Sequence, residues 1–214
     1  MIHTFLIFLS FAVLHSIMVS WRFKQLLKTV LGEPFMQAWY RLLFTVVSAV
    51  TAGGAFWLIR QVPDRHLWTA PEALGWVMRA LQAGAALFGA LAFRYLDGGE
   101  FLGITQSWRA LSGRRRDGNI EGLTQKELVT TGVYGVVRHP LYVAGIVFMT
   151  MQPRVTLNGF TVTLLADLYF LFGMLIEERR FIGIFGDQYR KYMREVPRMM
   201  PKLSRKDRRG ERQG

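Results

Sequence analysis

The chain has 214 residues, 51% of them hydrophobic, with a formal net charge of +12 and no cysteine. A mean hydropathy of +0.19 is apolar for a soluble protein and fits a small integral membrane protein. The missing cysteine excludes disulfides, thiolate metal sites and a cysteine nucleophile; the four histidines stand singly, with no helical His–His or His–Glu pair, so no metal is expected.

In chain order, the first apolar stretch is Ile2–Val19, which holds His3 and His15 but no charged residue. It has no basic segment ahead of it and no small-residue cleavage site behind it, so it is expected to stay as a first span rather than be removed. Residues 42–59 are uncharged and long enough to cross about 30 Å of hydrocarbon. Residues 74–96 are apolar apart from Arg79 and Arg94, and 155–176 apart from Asp167. Residues 141–151 are too short to cross alone, so a further span is expected to draw on 133–140. The expectation is an all-α integral membrane protein of about five transmembrane helices, the fourth and fifth forming a hairpin around Gln152, Pro153 and Arg154.

Charge sets the orientation. With an outside N-terminus, the inside segments hold four, seven and twelve basic residues, against Arg60, Arg65 and Arg154 outside. Such asymmetry predicts a cytoplasmic C-terminus in an inner, cytoplasmic membrane. It also accounts for the net charge through anionic lipid, without nucleic acid. Four regions follow: a three-span region over 1–96, a cytoplasmic loop over 97–132, a hairpin and C-terminal segment over 133–203, and a basic, disordered tail over 204–214.

Polar groups interrupt this pattern at "VVRHPLY" and "MLIEERRF". Pro140 disfavours helical geometry at His139, which predicts a break there. Backbone freed by a break is tolerated at membrane depth only inside protein or along a wet cavity. Arg138 and His139 therefore line a cavity rim, or Arg138 snorkels to headgroups. Asp167 lies eleven residues before Glu178, about 20° off the same helical face. One face thus carries a deep carboxylate and a rim carboxylate, and intramembrane ionisable groups mark functional cavities. Closing the hairpin sets Arg138 and His139 opposite Glu177 and Glu178, a polar chamber suited to a zwitterionic ligand.

These pieces, with "LVTTGVYGVVRHPLY", the Glu177–Glu178 pair and "FGDQYRKYMREVPRMMP" in order, resemble the isoprenylcysteine carboxyl methyltransferase family. The resemblance covers 126–203, and one departure is Ala144, where that family often has glycine. "VLHSIMVSWRFK" and "AWYRLLFTVVS" are similar to the bacterial branch near small-thiol S-methyltransferases and NnrU-type proteins. The resemblance implies a membrane methyltransferase that uses S-adenosyl-L-methionine and a lipophilic or small thiol or carboxylate acceptor. It implies a cofactor pocket on the cytoplasmic side formed by Leu128, Val129, Gly132, Val133, Tyr134, His139 and Tyr142. A member of the Glu177–Glu178 pair would hold the ammonium group there, and Tyr189 would join the aromatic faces against the sulfonium.

Arg138 can grip a carboxylate of either the cofactor or the acceptor. Asp167 or Glu178 is the candidate base for a neutral acceptor. His15 either faces the acceptor or is a packing histidine. Two alternatives remain: an NADPH-dependent, sterol-reductase-like enzyme and a non-catalytic membrane accessory protein.

Overall fold

The computed structural model describes residues 1–114, 119–121 and 127–201, so the basic tail lies outside the described residues. Helix α1 runs Ile2–Val19, where an uncharged Leu, Ile and Phe sequence bonds its backbone along the helix between the two ends. Ser20 adopts an extended conformation, ends α1, and caps α2 (Trp21–Leu31) by accepting the Phe23 N–H at 3.3 Å. After α2 come a short α3 (Glu33–Phe35), a π-helical turn at Met36–Tyr40, and α4 (Arg41–Gln61) in continuous succession. Helix α5 is Glu72–Arg94; α6 (Gly98–Leu102) and α7 (Ile104–Leu111) follow it. Then come α8 (Pro140–Thr150), α9 (Leu157–Phe185) and α10 (Asp187–Glu195).

Among the described residues, four helical stretches are long and apolar enough to cross a membrane: Ile2–Val19, Glu33–Gln61, Glu72–Arg94 and Leu157–Phe185. The expected fifth differs. Residues 133–140 do not extend it, because Gly132–Gly135 forms a 3₁₀ turn and helix begins only at Pro140. At 1.5 Å per residue, the eleven residues of α8 rise about 16 Å, roughly half a hydrocarbon core. The hairpin itself is present, with α8 packed between α5 and α9; α9 packs on α1, and α1 on α4.

Small residues set the closeness of these contacts. A Cβ on Gly145 would stand 2.9 Å from the Phe170 ring, and one on Gly173 would stand 3.3 Å from Tyr142. Ala144 faces α5: its Cβ would meet one on Gly89 at 3.2 Å. The methyl group in place of glycine is thus taken up by helix packing.

Among the described residues, two short strands add to the all-α expectation. β1 (His66–Thr69) and β2 (Arg154–Thr156) pair antiparallel, with Thr69 opposite Arg154 and His66 opposite Thr156. Asn158 fastens this end: its side chain accepts from the Thr4 hydroxyl at 2.7 Å and donates to the Val62 and Pro63 carbonyls. Asp64 accepts the Asn158 N–H at 2.9 Å.

Candidate functional site

At the opposite end of the bundle the chain leaves α5, returns through the turn at Gly132–Gly135, and enters α8 at a proline. His139 is non-helical (φ −122°, ψ 61°), as Pro140 at the first helical position requires. Gly132 has φ +60°, and a Cβ there would fall 2.0 Å from the Tyr95 hydroxyl. Only glycine meets both the left-handed backbone and that approach. Leu128, Val129, Val133 and Tyr134, around this turn, are half-buried. The Tyr134 ring lies edge-on to Tyr95, and its carbonyl accepts from the Tyr192 hydroxyl at 2.6 Å.

The segment after α10 folds back across this entry. The Arg138 N–H donates to the Pro197 carbonyl at 2.9 Å and the His139 N–H to the Arg198 carbonyl at 3.3 Å. Three cationic or protonatable side chains meet here on one carboxylate. Glu178 Oε1 accepts from Arg138 Nη2 at 2.6 Å and Arg138 Nε at 3.1 Å. Arg198 binds it bidentately, Nη2 to Oε2 at 2.6 Å and Nε to Oε1 at 3.2 Å. His139 Nε2 lies 3.2 Å from Oε1. The remaining Arg138 nitrogen, Nη1, donates to the Met193 carbonyl at 3.0 Å and to the Val196 carbonyl.

Arg138, His139 and Glu178 are all buried, so this knot is satisfied from within. Glu177 differs: its side chain is 35% exposed, with Oε2 3.4 Å from His139 Nδ1. The Tyr142 hydroxyl lies beside the same carboxylate, and the Tyr142 ring is edge-on to His139 at 5.6 Å. Arg198 keeps 42% of its side chain exposed and has Nη1 outside its grip on Glu178.

Burial, with Glu177 nearby, pushes the Tyr134 phenol up to about 12. Burial and Glu178 push Tyr189 up to about 12. Both phenols therefore stay neutral through the physiological range, presenting ring faces rather than phenolate charge. The ion pair with Glu178 raises Arg198 further.

The structure brings Arg138, His139, Tyr142, Glu177 and Glu178 together at one end of the α8–α9 hairpin. Tyr189 sits behind them, fully buried between Phe181 and Tyr192 and beside Arg138. Asp167 does face α8, as its spacing from Glu178 implies, but at the far end. Its Oδ2 accepts from Thr150 at 2.9 Å, and its Oδ1 is buried without a hydrogen-bond partner among the described residues. Thr150 lies about 16 Å along the hairpin from His139, by helical rise.

His15 lies between these levels, on α1. Its Nδ1 is 3.1 Å from Ser48 Oγ, and its ring contacts Phe11, Phe44 and Tyr169. Sequence reasoning missed Arg198, whose one signal is its place within "VPRMMP", and Tyr169, whose hydroxyl meets Ser16 Oγ at 2.9 Å. It also missed a second knot in which Lys24 Nζ and Arg41 Nη1 hold Glu121, at 2.6 and 3.2 Å.

The arrangement offers one accessible carboxylate, one half-exposed guanidinium and neutral aromatic faces at the end of an apolar bundle. Comparison with known proteins gives this a context. The chain is similar to a methanethiol S-methyltransferase of Pseudomonas deceptionensis, 30% identical over 199 residues, covering 91% of this chain and 70% of that protein. It is 28% identical to methanethiol S-methyltransferase 1 of Bradyrhizobium diazoefficiens, over 89% of this chain and 63% of the relative. A protein-S-isoprenylcysteine O-methyltransferase of Schizosaccharomyces pombe is 37% identical over 78 residues, 35% of this chain and 33% of that protein. No protein-family model and no solved structure matches the chain.

Proposed function

Because the chain belongs to the membrane methyltransferase family that includes methanethiol S-methyltransferases and protein-S-isoprenylcysteine O-methyltransferases, we propose that it methylates a small thiol from S-adenosyl-L-methionine while embedded in the membrane. The observation that carries the thiol is the extent of similarity. The thiol-methylating relatives align with about nine-tenths of the chain, the isoprenylcysteine relative with about a third. When bound, S-adenosyl-L-methionine supplies an electrophilic methyl group on a sulfonium.

The side chains fit such a zwitterion. Glu177, a third exposed and steadied by His139, takes the ammonium group, and Arg198 meets the carboxylate with the nitrogen that Glu178 leaves free. Tyr134 and Tyr142 offer neutral ring faces to the sulfonium. Arg138 and Glu178 hold the C-terminal segment against the entry to α8, so their part is to keep this geometry fixed. In-line methyl transfer draws most of its acceleration from such positioning. The four long apolar stretches cross the membrane, and α8 with the segment before it returns the chain to the β1–β2 side, which leaves the N-terminus outside and this site on the cytoplasmic side of the inner membrane.

Purified protein in detergent should convert methanethiol and an isotopically labelled methyl donor to labelled dimethyl sulfide, detected by gas chromatography. Calorimetry should show donor binding and no NADPH binding. Absence of both product and donor binding overturns this reading; NADPH binding in their place supports the reductase. Reporter fusions after Gly214 and within residues 62–69 should report opposite sides of the membrane.

A further inference from the structure

Resting on thiol methylation as proposed above, we propose that His15 is the general base that takes the acceptor's proton. A thiol reacts as its thiolate, so a neutral acceptor buried in an apolar bundle needs a proton acceptor within reach. The carboxylates near the hairpin are poorly placed for this. Glu178 has both oxygens engaged by Arg138, Arg198 and His139. Glu177 is shared by His139 and Tyr142, and Asp167 is bound to Thr150 at the other end of α8.

His15 has the required features. It is half-buried on α1, where α1 packs against α4 and α9. From α4 it meets Ser48 and the Phe44 ring, with Arg41 beyond; from α9 it meets Tyr169. No carboxylate bonds to it among the described residues, so no partner there holds the ring as imidazolium, and the neutral imidazole is the form that accepts a proton. In the tautomer that carries its proton on Nδ1, 3.1 Å from Ser48 Oγ, Nε2 holds a lone pair for which the described residues provide no partner.

One residue links this ring to the donor side. Tyr169 lies against His15 at 6.2 Å between centroids, is held by Ser16 at 2.9 Å, and neighbours Tyr142, which stands beside Glu177. An apolar thiol among Phe11, Phe44 and Tyr169 would thus lie between His15 and the methyl donor. In the step, the S–H proton passes to His15 Nε2 and the sulfur lone pair forms a bond to the methyl carbon. The sulfonium's carbon–sulfur bond breaks with its electron pair staying on the leaving thioether. The imidazolium then releases its proton to solvent.

The test compares wild type, His15→Ala and His15→Gln on two acceptors: an alkanethiol, and a thiophenol acidic enough to be ionised in the buffer. With the alkanethiol, kcat/KM should fall roughly 100- to 1,000-fold in both variants. In the variants it should rise with pH in proportion to free thiolate. With the ionised thiophenol the loss should shrink to a few-fold, and donor affinity by calorimetry should stay within about twofold of wild type. Equal losses on both thiols, or wild-type-like alkanethiol turnover in His15→Gln, would overturn the proposal. If His15→Ala fails to bind donor, His15→Gln decides, since its amide can still donate to Ser48 but cannot take the proton. Failure of wild type to methylate either thiol would reject the thiol reading itself, a result visible before any variant is compared.

Discussion

Glu178 and Glu121 are both buried, at 4% and 2% exposure, and each is held by cations from distant parts of the chain. Glu178 joins the start of α8, the end of α9 and the segment after α10 through Arg138, His139 and Arg198. Glu121 joins the loop after α7 to α2 and α4 through Lys24 and Arg41. The difference lies in the neighbours. Beside Glu178 stands Glu177, a second carboxylate that keeps a third of its surface and sits among aromatic rings; Glu121 has no such companion among the described residues. A saturated buried carboxylate fastens segments together, and a ligand can be recognised only where a further group is left over.

The sharpest way to break this comparison is Glu178→Ala, which strands Arg138 and Arg198. Removing one member of a buried ion pair costs about 3–5 kcal/mol, and with three partners the upper end is expected. The unfolding midpoint in detergent should fall steeply, with donor binding lost; a midpoint near wild type would show that Glu178 is no fastener.

Glu121→Gln should cost less, about 3 kcal/mol, because it has two ion-pair partners. It also carries a pH signature. Burial pushes the Glu121 carboxyl up, but Lys24 and Arg41 together hold it below its ordinary range. A carboxylate depressed by folding contributes stability above its unfolded value, lost as pH falls through its folded one. Acidification should therefore lower the wild-type midpoint more steeply than that of Glu121→Gln. Parallel slopes would remove Glu121 from the comparison.

Glu177→Gln should separate binding from folding. Its stability should barely change, while donor affinity should fall roughly ten- to a hundredfold, as expected for one charged hydrogen bond. A large loss of stability with intact donor affinity would reverse the roles assigned to the two glutamates.

The smallest effect is expected at the other end of the bundle, where Asp64→Ala removes acceptors for the Asn158 and Arg65 N–H groups. About 1 kcal/mol is expected, with no change in donor binding. Asp64 is held below its ordinary value because these bonds and the Thr156 hydroxyl outweigh desolvation. Its contribution too should therefore vanish as pH falls through that lowered value.

The sequence by itself determined what is local. Uncharged runs specify the long apolar helices, because backbone in hydrocarbon must bond within its own segment. Pro140 specifies the break at His139, and the glutamate pair and "RHPLY" specify which end of the hairpin is polar. The tertiary structure decided what depends on partners far along the chain. It stopped α8 at eleven residues, because the glycine turn at 132–135 leads to non-helical residues before Pro140. It turned Ala144 toward Gly89, and it brought Arg198 twenty residues back onto Glu178. It also made Glu121 the fastener of Lys24, ninety-seven residues away. Hydropathy and proline act within a turn or two of helix. Which cation a buried carboxylate binds is set by packing, which fixes the separation and burial of both groups.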